Sequence, residues 1–254
     1  MVEYSVKRGE IMAKVITVVS GKGGVGKSTF CVNTALALAK KNKKVLLIDG
    51  DISLRSLDLL LGVDEMVLYD WSDVLTGRCD PDKARLFYND NLQLLPAPLN
   101  HPEPLDADNF KMLLMKYYND YDYILIDGPA GVSELPLIYA HCADLCVIVA
   151  TPDSISARSA CIAGTQLSNA GIRDGNLRLV INRFDKISVK AGKLLNIDEI
   201  IDITYLKLLG VVPEEKKLMH ISVNRKDLPA YCKAKIAFNN IAERISGKEI
   251  PLNL

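Results

Sequence analysis

The stretch Gly21-Lys22-Gly23-Gly24-Val25-Gly26-Lys27-Ser28-Thr29 limits what this chain can fold into more than any other. It meets the pattern GxxxxGK[ST] through Gly21, Gly26, Lys27 and Ser28. It follows the β-branched run Lys14-Val-Ile-Thr-Val-Val-Ser20 and precedes Phe30-Cys-Val-Asn-Thr-Ala-Leu-Ala-Leu-Ala39, which has helix-forming composition. Strand, glycine loop and helix form the setting in which this pattern cradles phosphate. The glycines let successive backbone N–H groups converge on an anion, and the helix adds the positive end of its dipole. Lys27 is placed to reach the β- and γ-phosphates, and the Ser28 hydroxyl to ligate magnesium. The loop is therefore expected to bind a nucleoside triphosphate. Lys22 goes beyond the minimal pattern: it is either a solvated surface lysine or a charge aimed at a phosphate from a partner subunit.

The rest of the composition narrows the class. With 254 residues, 49% of them hydrophobic and 24% charged, the chain can bury a sizeable core and is not a disordered segment. Lys+Arg and Asp+Glu balance at 31 each, so no global field draws it to DNA, and a DNA partner is not expected. Apolar runs such as Leu145-Cys-Val-Ile-Val-Ala150 are too short to span a bilayer. Residues 1–11 carry Glu3, Lys7, Arg8 and Glu10 without an apolar stretch. They read as a detachable leader rather than a signal peptide, ahead of a domain over 12–254, and a cytoplasmic location is expected. Cys31, Cys79, Cys142, Cys146, Cys161 and Cys232 form no CxxC pair, so reduced thiols are expected rather than a metal site.

Along the chain, strands alternate with helices. Lys43–Asp49 reads as a buried strand of a parallel sheet, ending in Asp49-Gly50-Asp51 at the edge where open α/β sheets bind ligands. Leu54–Leu61 reads as a helix, and Met66–Arg78 as an amphipathic helix packed on the body. Asn91–Pro98 is a short strand; Phe110–Tyr118 is a helix capped by Asp106 or Asp108. Tyr121–Asp127 is an apolar strand whose terminal Asp, followed by Gly-Pro-Ala-Gly131, fits a carboxylate that holds a magnesium-bound water. Strands over Asp144–Pro152, Asn176–Phe184 and Leu208–Pro213 follow, with helices over Ser154–Ala170, near Ile197–Ile203 and over Pro229–Ser246. The alternation predicts a single-domain α/β fold, a mostly parallel twisted sheet with helices on both faces.

From Met12 onward the chain resembles the MinD/ParA/Mrp family of P-loop ATPases with a deviant Walker A loop, and its MinD branch most closely. VVSGKGGVGKST, LLIDGDISLRSLDLLLG, YDWSDVLTGRC, YILIDGPAG, VATPDSIS, LVINR and LLGVVPEE carry the resemblance. It implies an ATP-bound homodimer in which Lys22 reaches the other subunit's nucleotide, and Asp51 as the residue that positions the attacking water. It also implies Asp49 and Asp127 in the outer shell of Mg2+, and adenine contacts from Asn182 and Arg183 and from the segment at Pro213. An Asn amide can donate to and accept from an adenine edge. A MinC-like or MinE-like partner and a peripheral position at the inner face of the cell membrane belong to the same picture. Some residues depart from it: Ser56 stands where many members have Asn, and Ser159, Ala160 and Cys161 where acidic residues often follow Arg158. The tail Gly247–Leu254, with Pro251, does not read as a basic amphipathic helix, so membrane contact through it is not expected. Three readings of the same loop remain alternatives at this point: a ParA-type DNA-partitioning ATPase, a regulator of flagellar number, and an Mrp-type iron–sulfur carrier.

Overall fold

The apolar runs pair into one sheet. The computed structural model describes residues 12–100, 105–215 and 232–252. In chain order its strands are β1 (Lys14–Ser20), β2 (Val45–Asp49), β3 (Leu86–Asn89), β4 (Leu92–Leu95), β5 (Tyr123–Ala130), β6 (Leu145–Ala150), β7 (Leu177–Phe184) and β8 (Leu208–Pro213). They lie in the order β3-β4-β2-β5-β1-β6-β7-β8, and every neighbouring pair is parallel except β3 and β4. The strand before the glycine loop is thus central, flanked by β5 and β6.

The helices are α1 (Lys27–Ala39), α2 (Leu57–Leu61), α3 (Trp71–Leu75), α4 (Pro81–Ala84), α5 (Ala107–Met115), α6 (Glu134–His141), α7 (Ser154–Asn169), α8 (Lys186–Lys190), α9 (Ile197–Thr204) and α10 (Lys233–Ile245). Successive strand residues point to opposite faces, so each continuous apolar run feeds two cores. On one face Ile16, Val18, Leu47, Leu125 and Val147 meet Phe30 and Leu38 of α1 and Phe238 and Ile241 of α10. On the other, Leu46, Ile48, Ile124 and Ile126 meet Trp71, Phe110 and Tyr139 of α3, α5 and α6. Further along that face Ile148, Leu179 and Ile181 meet Ala157, Ala160 and Leu167 of α7 and Ile200 of α9. Each fully buried side chain of this kind contributes roughly 1.5–3 kcal/mol, which is why helices cover both faces. No helix among the described residues is long and apolar enough to cross a membrane.

Several elements differ from the sequence reading, each for a local reason. The helix expected from Leu54 starts only at Leu57, because Asp51 Oδ1 accepts from Ser53 N and Leu54 N, and Arg55 sits at φ 41°. The single helix expected over Met66–Arg78 is a 3-10 turn at Asp64–Met66 and the short α3. Asp70 and Asp73 form a capping box that starts α3 late, so Trp71 and Val74 are buried while Leu68 is 83% exposed. The hairpin partner β3 and the helices α4 and α8 were not expected. Asp106, through Oδ1 and Asn109 N at 2.8 Å, is the cap of α5. The leader 1–11 and the expected start of the last helix at 229–231 lie outside the described residues.

At its outer end the sheet finishes on β8, beside α10. Arg244 of that helix donates from Nη1 to the Leu209 carbonyl at 2.9 Å. Its Nε and Nη2 donate to the carbonyls of Ile250 and Pro251, both at 3.0 Å.

Candidate nucleotide-binding site

The loop between β1 and α1 has the geometry its residues require. Gly26 sits at φ 94° at the N-terminus of α1, and a Cβ there would stand 2.4 Å from Asn182 Nδ2. That amide, on the buried Asn182 of β7, donates to the Val25 carbonyl at 2.8 Å and so braces the loop. Gly21 is pressed equally close: its Cβ would stand 2.1 Å from the Ser159 carbonyl oxygen of α7. No side chain caps α1 and no acidic residue lies in its first turn, whereas Asp106, Asp153 and Asn196 cap α5, α7 and α9. The first N–H groups of α1 and the loop amides are therefore available to an anion.

The two loop lysines are placed differently. Lys27 is buried, 8% exposed. Lys22 is on the rim, its side chain 43% exposed, with Nζ 3.7 Å from Asp153 Oδ1 at the start of α7. Burial works against the Asp153 charge, but hydrogen bonds from Thr151 and Ser156, with the Lys22 ammonium, hold its pKa below the usual carboxylate value. A cavity of about 300 Å³ opens beside the loop, lined by Lys22, Gly23, Gly24, Val25, Thr151, Pro152, Asp153, Arg183 and Leu194. Arg183, at φ 57°, is thus brought to the loop beside Asn182, and Pro213 pairs in register with the next residue, Phe184.

The expected carboxylates converge on the neighbouring strand ends. Because β2 and β5 are adjacent, Asp49 and Asp127 face each other in register, and both are fully buried. Desolvation raises the Asp49 pKa to about 6, although its carboxylate accepts from Leu57 N at 3.0 Å and Asp51 N at 3.1 Å. Desolvation raises Asp127 further, to about 7, with Asp49 and Asp51 adding repulsion and the Ser28 hydroxyl and Lys27 working against it. Asp127 Oδ1 accepts from the buried Cys31 thiol at 3.6 Å, while Oδ2 has no hydrogen-bond partner of good geometry among the described residues. Asp51 is 6% exposed, and among the described residues backbone N–H groups engage only its Oδ1.

This donor set suits a hard divalent cation. Two crowded carboxylates with raised pKa values and one orphaned oxygen lie next to a serine hydroxyl, which is what a partly hydrated Mg2+ takes. Among the described residues no three His, Cys, Asp or Glu side chains form a cage of their own. Sequence reasoning missed three contributors. Trp71 and Tyr139 bond the backbone at Asp49 and Gly50, and Asp153 holds Lys22. No local pattern marks them, since their partners lie far away in the chain.

Known proteins resemble this chain over almost its whole length. The profile of the ParA family described as NUBPL iron-transfer P-loop NTPase matches residues 11–174. The septum site-determining protein MinD of Synechocystis sp. is 36% identical over 248 residues, 94% of this chain and 92% of that protein. The chain belongs to the MinD family of P-loop ATPases. MinD of Bacillus subtilis is 34% identical over 250 residues, 96% of this chain and 92% of its own length. Among solved structures, MinD of the Aquifex aeolicus MinC:MinD complex matches with a TM-score of 0.87 at 37% identity, covering 95% of this chain and 99% of that one. MinD of Pyrococcus horikoshii, solved with Mg-ADP, matches with a TM-score of 0.79 at 28% identity over 92% of this chain and 96% of that one. As a MinD-family member with an intact loop, the chain is an ATP hydrolase.

Proposed function

We propose that this MinD-family ATPase is a nucleotide-operated switch in septum-site selection: ATP joins two copies face to face and hydrolysis separates them. The observation that carries the reading is the unequal placement of the loop lysines. Lys27 is buried where it can serve the phosphates of its own subunit, whereas Lys22 stands half-exposed on the rim. Its pair with Asp153 is a surface ion pair, worth roughly 0–1 kcal/mol, and so is readily exchanged for a phosphate of the other subunit. A MinC-like protein is the partner such a dimer would engage, given the Aquifex aeolicus complex.

In the site itself, the loop amides, the N-terminus of α1 and Lys27 hold the triphosphate tail. Mg2+, when bound through the Ser28 hydroxyl with Asp49 and Asp127 receiving its water ligands, supplies charge neutralisation. Asp51, with Oδ1 fixed by Ser53 N and Leu54 N, presents its other oxygen to a water molecule. That water attacks the γ-phosphorus, an O–P bond forms, and the bridging O–P bond to the β-phosphate breaks to give ADP and phosphate. Positioning and charge account for the acceleration, as in phosphoryl transfer generally. Asn182 keeps one N–H on Val25 and offers its remaining amide groups, with Arg183 and Pro213 nearby, to the adenine edge.

Lys22→Ala tests the reading. Expected is retained ATP binding with loss of ATP-dependent dimerisation, followed by sedimentation, and loss of turnover. Unchanged dimerisation and turnover would refute a role for Lys22 across the interface.

A further inference from the structure

Beyond β2 the backbone at Asp49-Gly50-Asp51 is gripped at consecutive groups. Trp71 Nε1 donates to the Asp49 carbonyl at 2.9 Å. Gly50 N donates to the Asp127 carbonyl at 2.9 Å. Tyr139 Oη donates to the Gly50 carbonyl at 3.0 Å. The two aromatic donors come from α3 and α6, and both side chains are fully buried. Phe110 of α5 links them, edge-on to Trp71 with centroids 5.9 Å apart and tilted against Tyr139 at 4.7 Å.

Buried Tyr and Trp generally find a partner for their polar tip, so a role confined to the core would explain one such bond. It does not explain why two, from different helices, fall on the two successive carbonyls just before Asp51. The Asp49 carboxylate also accepts from Asp51 N at 3.1 Å, so the peptide that carries Asp51 is held from both sides. Rotating either carbonyl would swing the Asp51 carboxylate, and displacements of this size at a reacting group are costly even when binding is intact.

We infer that Trp71, Phe110 and Tyr139 form an aromatic clamp that positions Asp51 for the hydrolytic step. The three are positioning residues: they reach the reaction only through the backbone on either side of Gly50. The inference rests on the reading of Asp51 as the residue that orients water. Because Trp71 is the only tryptophan in the chain, the clamp also carries its own fluorescent reporter.

Tyr139→Phe removes one hydroxyl and keeps the ring on Phe110. The expected result is a fall in kcat of about tenfold, with the affinity for a non-hydrolysable ATP analogue and Mg2+ changed by less than about twofold. The Trp71 emission change on adding that analogue and Mg2+ should be smaller than in the parent. An unchanged kcat, or kcat and affinity falling together, would overturn the inference. If Tyr139→Phe does not unfold cooperatively, Trp71→Phe, which keeps an aromatic ring beside Phe110, is judged by the same split between kcat and affinity. Asp51→Asn separates the two ideas. Hydrolysis at the parent rate in Asp51→Asn refutes the reading of Asp51 itself, whereas an inactive Asp51→Asn beside a fully active Tyr139→Phe refutes the clamp alone.

Discussion

Asp127 is a carboxylate that the ligand-free fold holds at a cost, and replacing it should show how large that cost is. Burial first, then repulsion from Asp49 and Asp51, raises its pKa from 3.8 to about 7. Over that window the folded chain binds a proton at Asp127 that the unfolded chain has lost. Stability from this group is therefore complete below about pH 4 and falls by ~1.4 kcal/mol per pH unit until the folded pKa is passed. The total is ~4 kcal/mol at alkaline pH. Asp127→Asn abolishes the titration while keeping an oxygen for the Cys31 thiol and placing an amide beside the Ser28 hydroxyl. Without nucleotide and with metal chelated, the variant should be the more stable protein at about pH 8, with an upper limit near 10 °C in Tm. The two proteins should converge as the pH falls toward 4, and adding ATP and Mg2+ should stabilise the parent more than the variant. Thermal unfolding across this pH range, followed by circular dichroism, decides the matter. A variant less stable than the parent at about pH 8, or a difference that does not change with pH, would refute the argument from desolvation.

Two further substitutions probe the loop. Gly21→Ala places a Cβ 2.1 Å from the Ser159 backbone oxygen, where no rotamer can relieve it. It should cost ~1–3 kcal/mol or more and abolish calorimetric ATP binding, and a fully binding, equally stable variant would contradict the packing described. Asn182→Ala strips the Val25 carbonyl of its donor. Leaving a buried acceptor unpaired costs ~1–3 kcal/mol, so tripolyphosphate, which has no base, should bind less tightly along with ATP. Normal tripolyphosphate binding would show that Asn182 does not brace the loop.

The parts of the fold legible in the sequence were those with a local cause. The β-branched run before Gly21 and the continuous apolar runs ending at Asp49 and Asp127 declared buried strands of a parallel sheet. The register that sets those two aspartates side by side was not legible, because it depends on β2 pairing with β5 rather than on either run alone. Helix limits were less legible where side chains competed with the helix, as Asp51 does by capturing Ser53 N and Leu54 N. The start of α6 was not legible, because Pro136 and the preceding Gly-Pro-Ala-Gly are residues common in turns, although proline is tolerated in a first turn. The brace from Asn182 to Val25 spans 157 residues of sequence, and the grip of Tyr139 on Gly50 spans 89. Contacts of that kind are created by packing and leave no periodicity to read.

Arg244 bears on how copies of this protein can meet. A terminal strand with bare carbonyls invites a second molecule to extend the ladder, the usual route to unwanted fibrous association. A guanidinium reaching from α10 to Leu209, and onward to the carbonyls of Ile250 and Pro251, puts a fixed positive charge and the segment after α10 beside that border. Lateral growth is thereby discouraged, and the proposed ATP-dependent pairing of two copies would be left to the nucleotide-bearing mouth.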